Sequence, residues 1–166
     1  MPKKILFIMC DQLRFDYLGC TGHPSIKTPH IDALAAQGVR QVNEAIAWAE
    51  AHHDSTLTAD GLFAKGLIML ELLDYSAALE LLLKTYEIEE TTTNLTRNKA
   101  GTAGAIAKVY LARGDDQLAI PYLEESLQAT RSGDNPVGAS IALYGLGGAY
   151  KNLGDFEKAL SLFQES

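Results

Sequence analysis

Several groupings in this 166-residue chain have side chains that could do chemistry. His52 and His53 could ligate a metal. Glu89-Glu90 and Glu124-Glu125 could act as acid and base. Gly145-Leu146-Gly147-Gly148 has the composition of a phosphate-cradling loop, and Cys10 and Cys20 carry thiols. Spacing weakens each of these readings. Neighbouring residues on a helix point in different directions, and neither histidine has a ligand partner four residues away, so both read as an exposed helix end. Adjacent glutamates read as solvated faces. The glycines follow a helical pattern with no strand before them, which makes them helix-packing residues. Asn94-Leu95-Thr96 has the form of a glycosylation sequon, which has no meaning in the cytoplasm. Trp48, at helical spacing from Ala45 and Ala51, reads as core. No catalytic residue and no cofactor site is expected from these groups.

Composition narrows the function classes further. Hydrophobic residues make up 47% of the chain, enough for a packed core. The formal charge of −7 is unevenly spread: residues 1–40 carry five Lys/Arg and three Asp/Glu, while residues 41–166 carry nine and eighteen. An acidic array lacks the clustered cations that bind nucleic-acid phosphates or anionic membranes, so neither is expected as a partner. Two cysteines without a regular framework suit a reducing compartment. The apolar run from Ile5 to Cys10 is too short for a signal-peptide core, and no segment approaches the roughly twenty apolar residues of a membrane span. A cytoplasmic protein is expected.

The elements that would position any site change character near Arg40. Beyond it, the sequence repeats itself. Ala105–Ser126 aligns with Gly145–Ser166 at a constant offset of 40, matching Tyr110 with Tyr150, Gly114 with Gly154, Asp115 with Asp155 and Ala119 with Ala159. In an earlier copy, Asp74 and Ala78 each stand 41 residues before Asp115 and Ala119. Each copy reads as two helices joined by a turn. Gly takes a left-handed cap, and the following Asp starts the second helix. Ala78, Ala119 and Ala159 then allow close helix approach, with Leu82, Leu123 and Phe163 filling the space beside it. In the first helices, Gly66, Ala107 and Gly147 are the small counterparts, followed three residues on by Met69, Tyr110 and Tyr150.

This pattern resembles the tetratricopeptide repeat, whose usual period is about 34 residues. The longer period is similar to the extended variant of large bacterial regulators. The resemblance covers Gln41 to Ser166 and implies an all-α, superhelical stack of antiparallel helix pairs. Gln41–Ala51 would be the second helix of an incomplete preceding repeat. Because the sequence stops within a helix without a polar capping helix, an array cut from a longer one is expected.

Residues 3–40, KKILFIMCDQLRFDYLGCTGHPSIKTPHIDALAAQGVR, resemble instead the amino terminus of the sulfatase and phosphonate monoester hydrolase family. The carriers are the apolar strand Ile5–Met9, Asp11-Gln12, the Leu-Gly-Cys turn, and Thr28-Pro29-His30-Ile31-Asp32. The resemblance implies that Asp11 and Gln12 match residues that help to hold the family's divalent metal, here only as vestiges. His30 departs from the family's usual Asn. The Cys-x-Pro-x-Arg type of signature that yields the family's nucleophile does not occur at Cys10 or Cys20. One carboxylate cannot assemble a divalent site, so no metal site and no catalysis are expected. Residues 1–40 are expected to form a strand-plus-helix leader, with Thr28 capping a helix from Pro29 that packs on the end of the array and runs through Gly38 into Gln41.

The domain division expected is therefore 1–40, an incomplete sulfatase-like piece, and 41–166, a tetratricopeptide-like domain. The function expected is a non-enzymatic protein-interaction scaffold, part of a larger regulator. The alternative is a fragment or chimera, joined near Arg40, of a metal-dependent hydrolase that is catalytically incomplete here. The first helices of a curved stack line its concave side. In the resemblance's register the groove positions are Phe63, Leu67, Gly104, Lys108, Tyr144, Gly148, Lys151 and Asn152. That set implies a partly apolar groove for a protein or peptide ligand. Self-association through the uncapped repeat ends is a further expectation.

Overall fold

The reason for the fold lies in its turns. In this computed structural model, which describes residues 20, 24–25, 27–92 and 99–166, the chain reverses direction five times by one device. A residue in the left-handed region ends each helix: His53 (φ 53°), Leu73 (φ 62°), Gly114 (φ 79°), Asp134 (φ 52°) and Gly154 (φ 87°). The residue after it is Asp54, Asp74, Asp115, Asn135 or Asp155, which begins the next helix. The backbone N–H of that residue reaches back to a carbonyl of the finishing helix, as in Asp74 to Met69 and Asp155 to Tyr150, both 2.9 Å. Its side chain meanwhile accepts an N–H of the starting helix in four of the five turns, for example Asp54 from Leu57 at 2.9 Å. Asp115 instead pairs with Arg113 at 3.0 Å. Orphaned groups at both helix ends are thus satisfied within a few residues.

Seven helices result among the described residues: α1 Pro29–Ala51, α2 Ser55–Glu71, α3 Tyr75–Thr91, α4 Lys99–Arg113, α5 Asp116–Ser132, α6 Pro136–Asn152 and α7 Phe156–Glu165. No helix among them is long and apolar enough to cross a membrane. The pairs α2/α3, α4/α5 and α6/α7 stack in order, with α1 lying on α2. First helices also touch one another, α2 with α4 and α4 with α6, while the second helices make no comparable contact. The stack is therefore tighter on the side of α2, α4 and α6, which is its concave side. This is the all-α, tetratricopeptide-like superhelical stack that the repeat pattern implies.

Small residues set the closeness of the pairs. Ala78 and Ala119 are fully buried and Ala159 nearly so. A Cβ on Gly66 would lie 2.8 Å from Leu82, and one on Gly147 would lie 2.6 Å from Phe163, so these two pairs close only with glycine there. Leu123 packs differently from its counterparts: it lies against Gly145 of the next pair, 2.8 Å from where a Cβ would stand. Two apolar clusters follow. One joins Leu70, Ala78 and Leu82 to Ile106 and Val109, and the other joins Ala119, Ile120 and Leu123 to Ala142, Leu143 and Leu146.

The helix from Pro29 runs unbroken through Gly38, Arg40 and Gln41 to Ala51. Thr28 is its N-cap residue and Pro29 its first residue, but the Thr28 hydroxyl donates to Asp32 (2.7 Å) and accepts no N–H of the first turn as a cap. Asp32 also accepts the backbone N–H of Cys20 at 2.7 Å, so Thr28 and Asp32 lock the start of α1 together. The Thr28 contact holds the Asp32 carboxyl below its ordinary value. The apolar run Ile5–Met9, Asp11-Gln12 and the Asn94 sequon lie outside the described residues. Trp48 is not a core residue: it is 54% exposed and stacks on His52 with ring centroids 4.0 Å apart. The buried face of α1 is Ile46 and Ala49, and a 100° step per residue turns Trp48 off that face.

Two glycine-to-alanine changes separate the turn's contribution from helix propensity. Neither Cβ would meet an atom within 4 Å, yet Gly154 sits at φ 87° and Gly148 inside α6. Gly154→Ala is expected to cost about 1–2 kcal/mol, and Gly148→Ala to add about 1 kcal/mol. Urea denaturation followed by circular dichroism checks both; changes of equal sign would contradict this account of the turn.

Candidate functional site

An apolar concavity among the described residues follows from the pair geometry. The wall supplied by α4 carries Gly101 and Gly104, which expose backbone in place of side chains; a Cβ on Gly101 would meet nothing within 4 Å. The opposing wall is α6. On α6, Val137, Ile141 and Tyr144 recur at spacings of four and three, a single face by helical geometry, and are 69%, 68% and 69% exposed. Ile141 and Tyr144 line the groove, while Leu123 and Ser126 of α5 form its floor. The volume of this open cleft is about 720 Å³, within the range of a ligand site. The groove opens between first helices, on the concave side.

The structure divides the eight groove positions read from the sequence. Gly104, Lys108 and Tyr144 line this groove. Phe63 and Leu67 instead are half-buried and pack against the Leu70–Leu82–Ile106 cluster. Asn152 is tied up, its side chain donating to Asp116 of the preceding pair at 3.1 Å. Lys151 and Gly148 lie on the last turns of α6, Lys151 exposed and Gly148 half-buried. Lys108 pairs with Glu71 at 3.2 Å, both side chains being largely exposed, so the pair is screened and easily exchanged. The face of Val137 and Ile141 was missed in the sequence reading, although their spacing with Tyr144 is visible there. Neither α4 nor α6 contains an Asp or Glu, so the groove walls carry only cations within an otherwise acidic array.

A second polar assembly lies where α3 meets α4, and it corrects the reading of the glutamate pairs as solvated faces. Glu89 is 2% exposed. The Thr102 hydroxyl donates to its Oε1 at 3.0 Å, and Oε2 is buried without a hydrogen-bond partner. Burial, with the charge of Asp60 adding to it, pushes the Glu89 carboxyl above its ordinary value, against the Thr102 hydrogen bond and the Lys99 charge. Glu125 is also engaged: it accepts the Tyr86 hydroxyl at 2.5 Å and pairs with Lys99 at 3.0 Å. Lys99 reaches Glu90 as well, at 3.0 Å, and lies 4.6 Å from the Tyr86 ring centre. These carboxylates hold the ammonium of Lys99 in its charged form well above the ordinary lysine range. Tyr122 stacks on Tyr110 and meets Tyr86 edge-on, completing a bridge between the first two pairs. Of the other groups considered above, Glu124 is exposed, His52 and His53 end α1, and Gly145–Gly148 lie within α6. Among the described residues, no three His, Cys, Asp or Glu side chains converge on a metal position.

Comparison with known proteins matches two different parts of what the sequence suggested. The tetratricopeptide repeat family model matches residues 98–166, the α4–α7 half of the stack that forms the groove. A separate, short similarity links the chain to sulfatases. Human arylsulfatase A is 51% identical over 39 residues, which is 24% of this chain and 8% of that enzyme. Mouse steryl-sulfatase is 46% identical over 39 residues, covering 24% of this chain and 6% of its own length. The ulvan-active sulfatase of Formosa agariphila is 48% identical over 44 residues, or 25% of this chain and 9% of its own. The chain thus spans less than a tenth of the length of these curated relatives.

The Glu89 environment predicts a pH effect. Folding raises its pKa, so the native state keeps a proton that the unfolded chain releases above about 4.5. Stability is then lost as pH rises from that value through the raised one. Glu89→Gln, which carries no charge, is expected to melt at higher temperature than the parent at about pH 7.5, with the gap closing towards about pH 5. A gap that widens on acidification would refute the buried-carboxyl account.

Proposed function

We propose that this tetratricopeptide-type stack is a non-enzymatic interaction scaffold that holds a segment of a partner polypeptide in the groove between α4 and α6. One observation carries the reading: two large apolar side chains of α6, Ile141 and Tyr144, line the groove while remaining largely exposed, beside a glycine wall on α4. Exposing such a stripe is unfavourable unless it is covered in use. The glycines let another backbone approach closely. An extended segment or an amphipathic helix with two or three apolar anchors has the required shape. Lys108 at the border favours a segment with a flanking carboxylate, a contribution that screening by salt would weaken.

The match to the repeat family supports an interaction role for the stack. A cytoplasmic setting and membership of a larger regulator belong to the same reading; the sparse cysteines support the first. The sulfatase similarity, at a quarter of the chain or less, gives no support to turnover by this chain. A hydrolase of that kind needs oxygen ligands gathered from distant segments and a nucleophile signature, which this sequence lacks at Cys10 and Cys20.

Selection from a library of roughly fifteen-residue peptides, followed by fluorescence anisotropy, tests the groove. Selected peptides are expected to be enriched in large apolar residues and to bind with micromolar affinity. Gly101→Leu should fill the groove without disturbing the helix, because nothing stands near that Cβ. Loss of binding by at least about tenfold is expected, and equal binding to parent and variant would remove the groove from the proposal. Hydrolysis of p-nitrophenyl sulfate or phenylphosphonate esters with added divalent cation is expected at the uncatalysed rate; metal-dependent turnover would restore the hydrolase reading.

A further inference from the structure

Hydroxyls on α3 and α5 share a habit. Thr85, Thr91, Thr130 and Ser132 each donate to the carbonyl four residues back on their own helix. Ser126 of α5 departs from it. The residue is 8% exposed, and its carbonyl accepts from Thr130, whereas its Oγ has no hydrogen-bond partner among the described residues. Ser126 lies on the floor of the α4–α6 groove, and a Cβ on Gly104 would meet Ser126 Oγ at 3.4 Å and nothing else within 4 Å. The polar side chains around it are engaged elsewhere: Thr130 with its own helix, Asn135 with the Gly138 N–H at 3.0 Å, and Lys108 with Glu71. A hydroxyl this deep is costly to leave unmatched, so its partner is either solvent in the open groove or whatever occupies it.

Resting on the reading of this cleft as a polypeptide groove, we propose that Ser126 determines its specificity: the hydroxyl hydrogen-bonds a main-chain amide group of an extended segment laid across Gly104. The groove therefore takes extended ligands in preference to helical ones. In a helix the N–H and C=O groups are used up internally, so the main chain of a docked helix would leave Ser126 unmatched. An extended segment carries free N–H and C=O groups along its length. Gly101 and Gly104 lack the side chains that would hold such a backbone away, and a hydroxyl, as both donor and acceptor, can pair with either group. Side chains of an extended segment alternate between its faces, so a residue beside the bonded amide turns an apolar side chain towards Ile141 and Tyr144. Displacing water from Ser126 without replacing its hydrogen bond lowers affinity, which is how one hydroxyl discriminates against a helix or a wholly apolar ligand.

The probes are the library peptides whose binding to the full chain is lost with Gly101→Leu. Ser126→Ala breaks no hydrogen bond of its hydroxyl inside the chain, so it is expected to leave the fold at least as stable and to weaken these peptides about fivefold. Gly104→Ala puts a methyl at ordinary contact distance from the hydroxyl. It is expected to weaken them at least as much, with the helical circular dichroism unchanged. Replacing each peptide amide in turn by an ester removes one N–H and weakens one carbonyl acceptor. At one position the ester is expected to cost about fivefold with the parent chain and nothing with Ser126→Ala, a coupling that a merely structural serine would not show. Equal binding by the parent, Ser126→Ala and Gly104→Ala overturns the inference and leaves the groove reading in place. An ester series with no position dependent on Ser126 overturns it too, as do bound peptides with the sequential N–H contacts of a helix by NMR. Peptides indifferent to Gly101→Leu remove the groove itself, and this inference with it.

Discussion

The structure depends on a constraint that recurs about every twenty residues: one residue in the left-handed region followed by Asp or Asn. The left-handed residue stops a helix and lets the finishing turn's carbonyls be satisfied. In four of the five turns the carboxylate or amide then collects the free N–H of the third residue of the next helix. Because both jobs are done by adjacent residues, the chain reverses within a very short turn and the two helices must pack antiparallel. Residues of different intrinsic suitability occupy the left-handed position. Gly114 and Gly154 adopt it without a steric cost, whereas His53, Leu73 and Asp134 adopt the same conformation with a side chain. That the five turns share hydrogen bonds despite this shows the geometry to be imposed by the stack as well as by the local sequence.

Once the reversals exist, small residues decide how far the helices separate. Ala78, Ala119 and Ala159 sit at the contact within each pair, and Gly66 and Gly147 receive Leu82 and Phe163. The middle pair departs from this scheme. It has Ala107 where the others have glycine, and its Leu123 turns to Gly145 in the next pair. The α5–α6 junction is thereby drawn close. The apolar clusters on either side of α4 share Tyr110 and Tyr122 at their edges, so the pairs are joined by aromatic packing and not by backbone pairing. The concave groove is a by-product of the same economy in side chains. Where α4 offers glycine and alanine to α6, the space between the two helices remains open.

The α3–α4 junction adds buried and half-buried polar groups to the apolar cluster that joins Ala78 and Leu82 to Ile106 and Val109. Two adjoining sets, Glu89 with Thr102 and Lys99 with Glu90, Glu125 and Tyr86, tie α3 to both α4 and α5. Such a set orients its members strictly, because each carboxylate has a particular donor. The first also leaves one oxygen of Glu89 unpaired, a local conflict of the kind that lowers stability without altering the fold. The stack is therefore not uniform along its length. Its α4–α7 half is joined mainly by hydrocarbon, whereas the α3–α4 junction adds charged contacts to its apolar cluster.

The sequence by itself determined the reversals, the pairing of helices, the period and the small-residue contacts, because all of these are local or repeat at a fixed offset. Gly114-Asp115 and Gly154-Asp155 announce turns, and Ala78, Ala119 and Ala159 announce contacts, before any coordinate is known. Thr28-Pro29 likewise marks the start of α1. Only the tertiary structure decided which sides of those helices meet water. Trp48 lies outside and Glu89 inside, against their usual preferences, because burial depends on the direction in which neighbouring pairs stack. The groove shows the same division. Lys108 and Tyr144 could be placed on its walls from the repeat's register. That Phe63 and Leu67 join a core, that Asn152 is held by Asp116, and that Ile141 faces the cleft depend on contacts between pairs tens of residues apart, which no single repeat encodes.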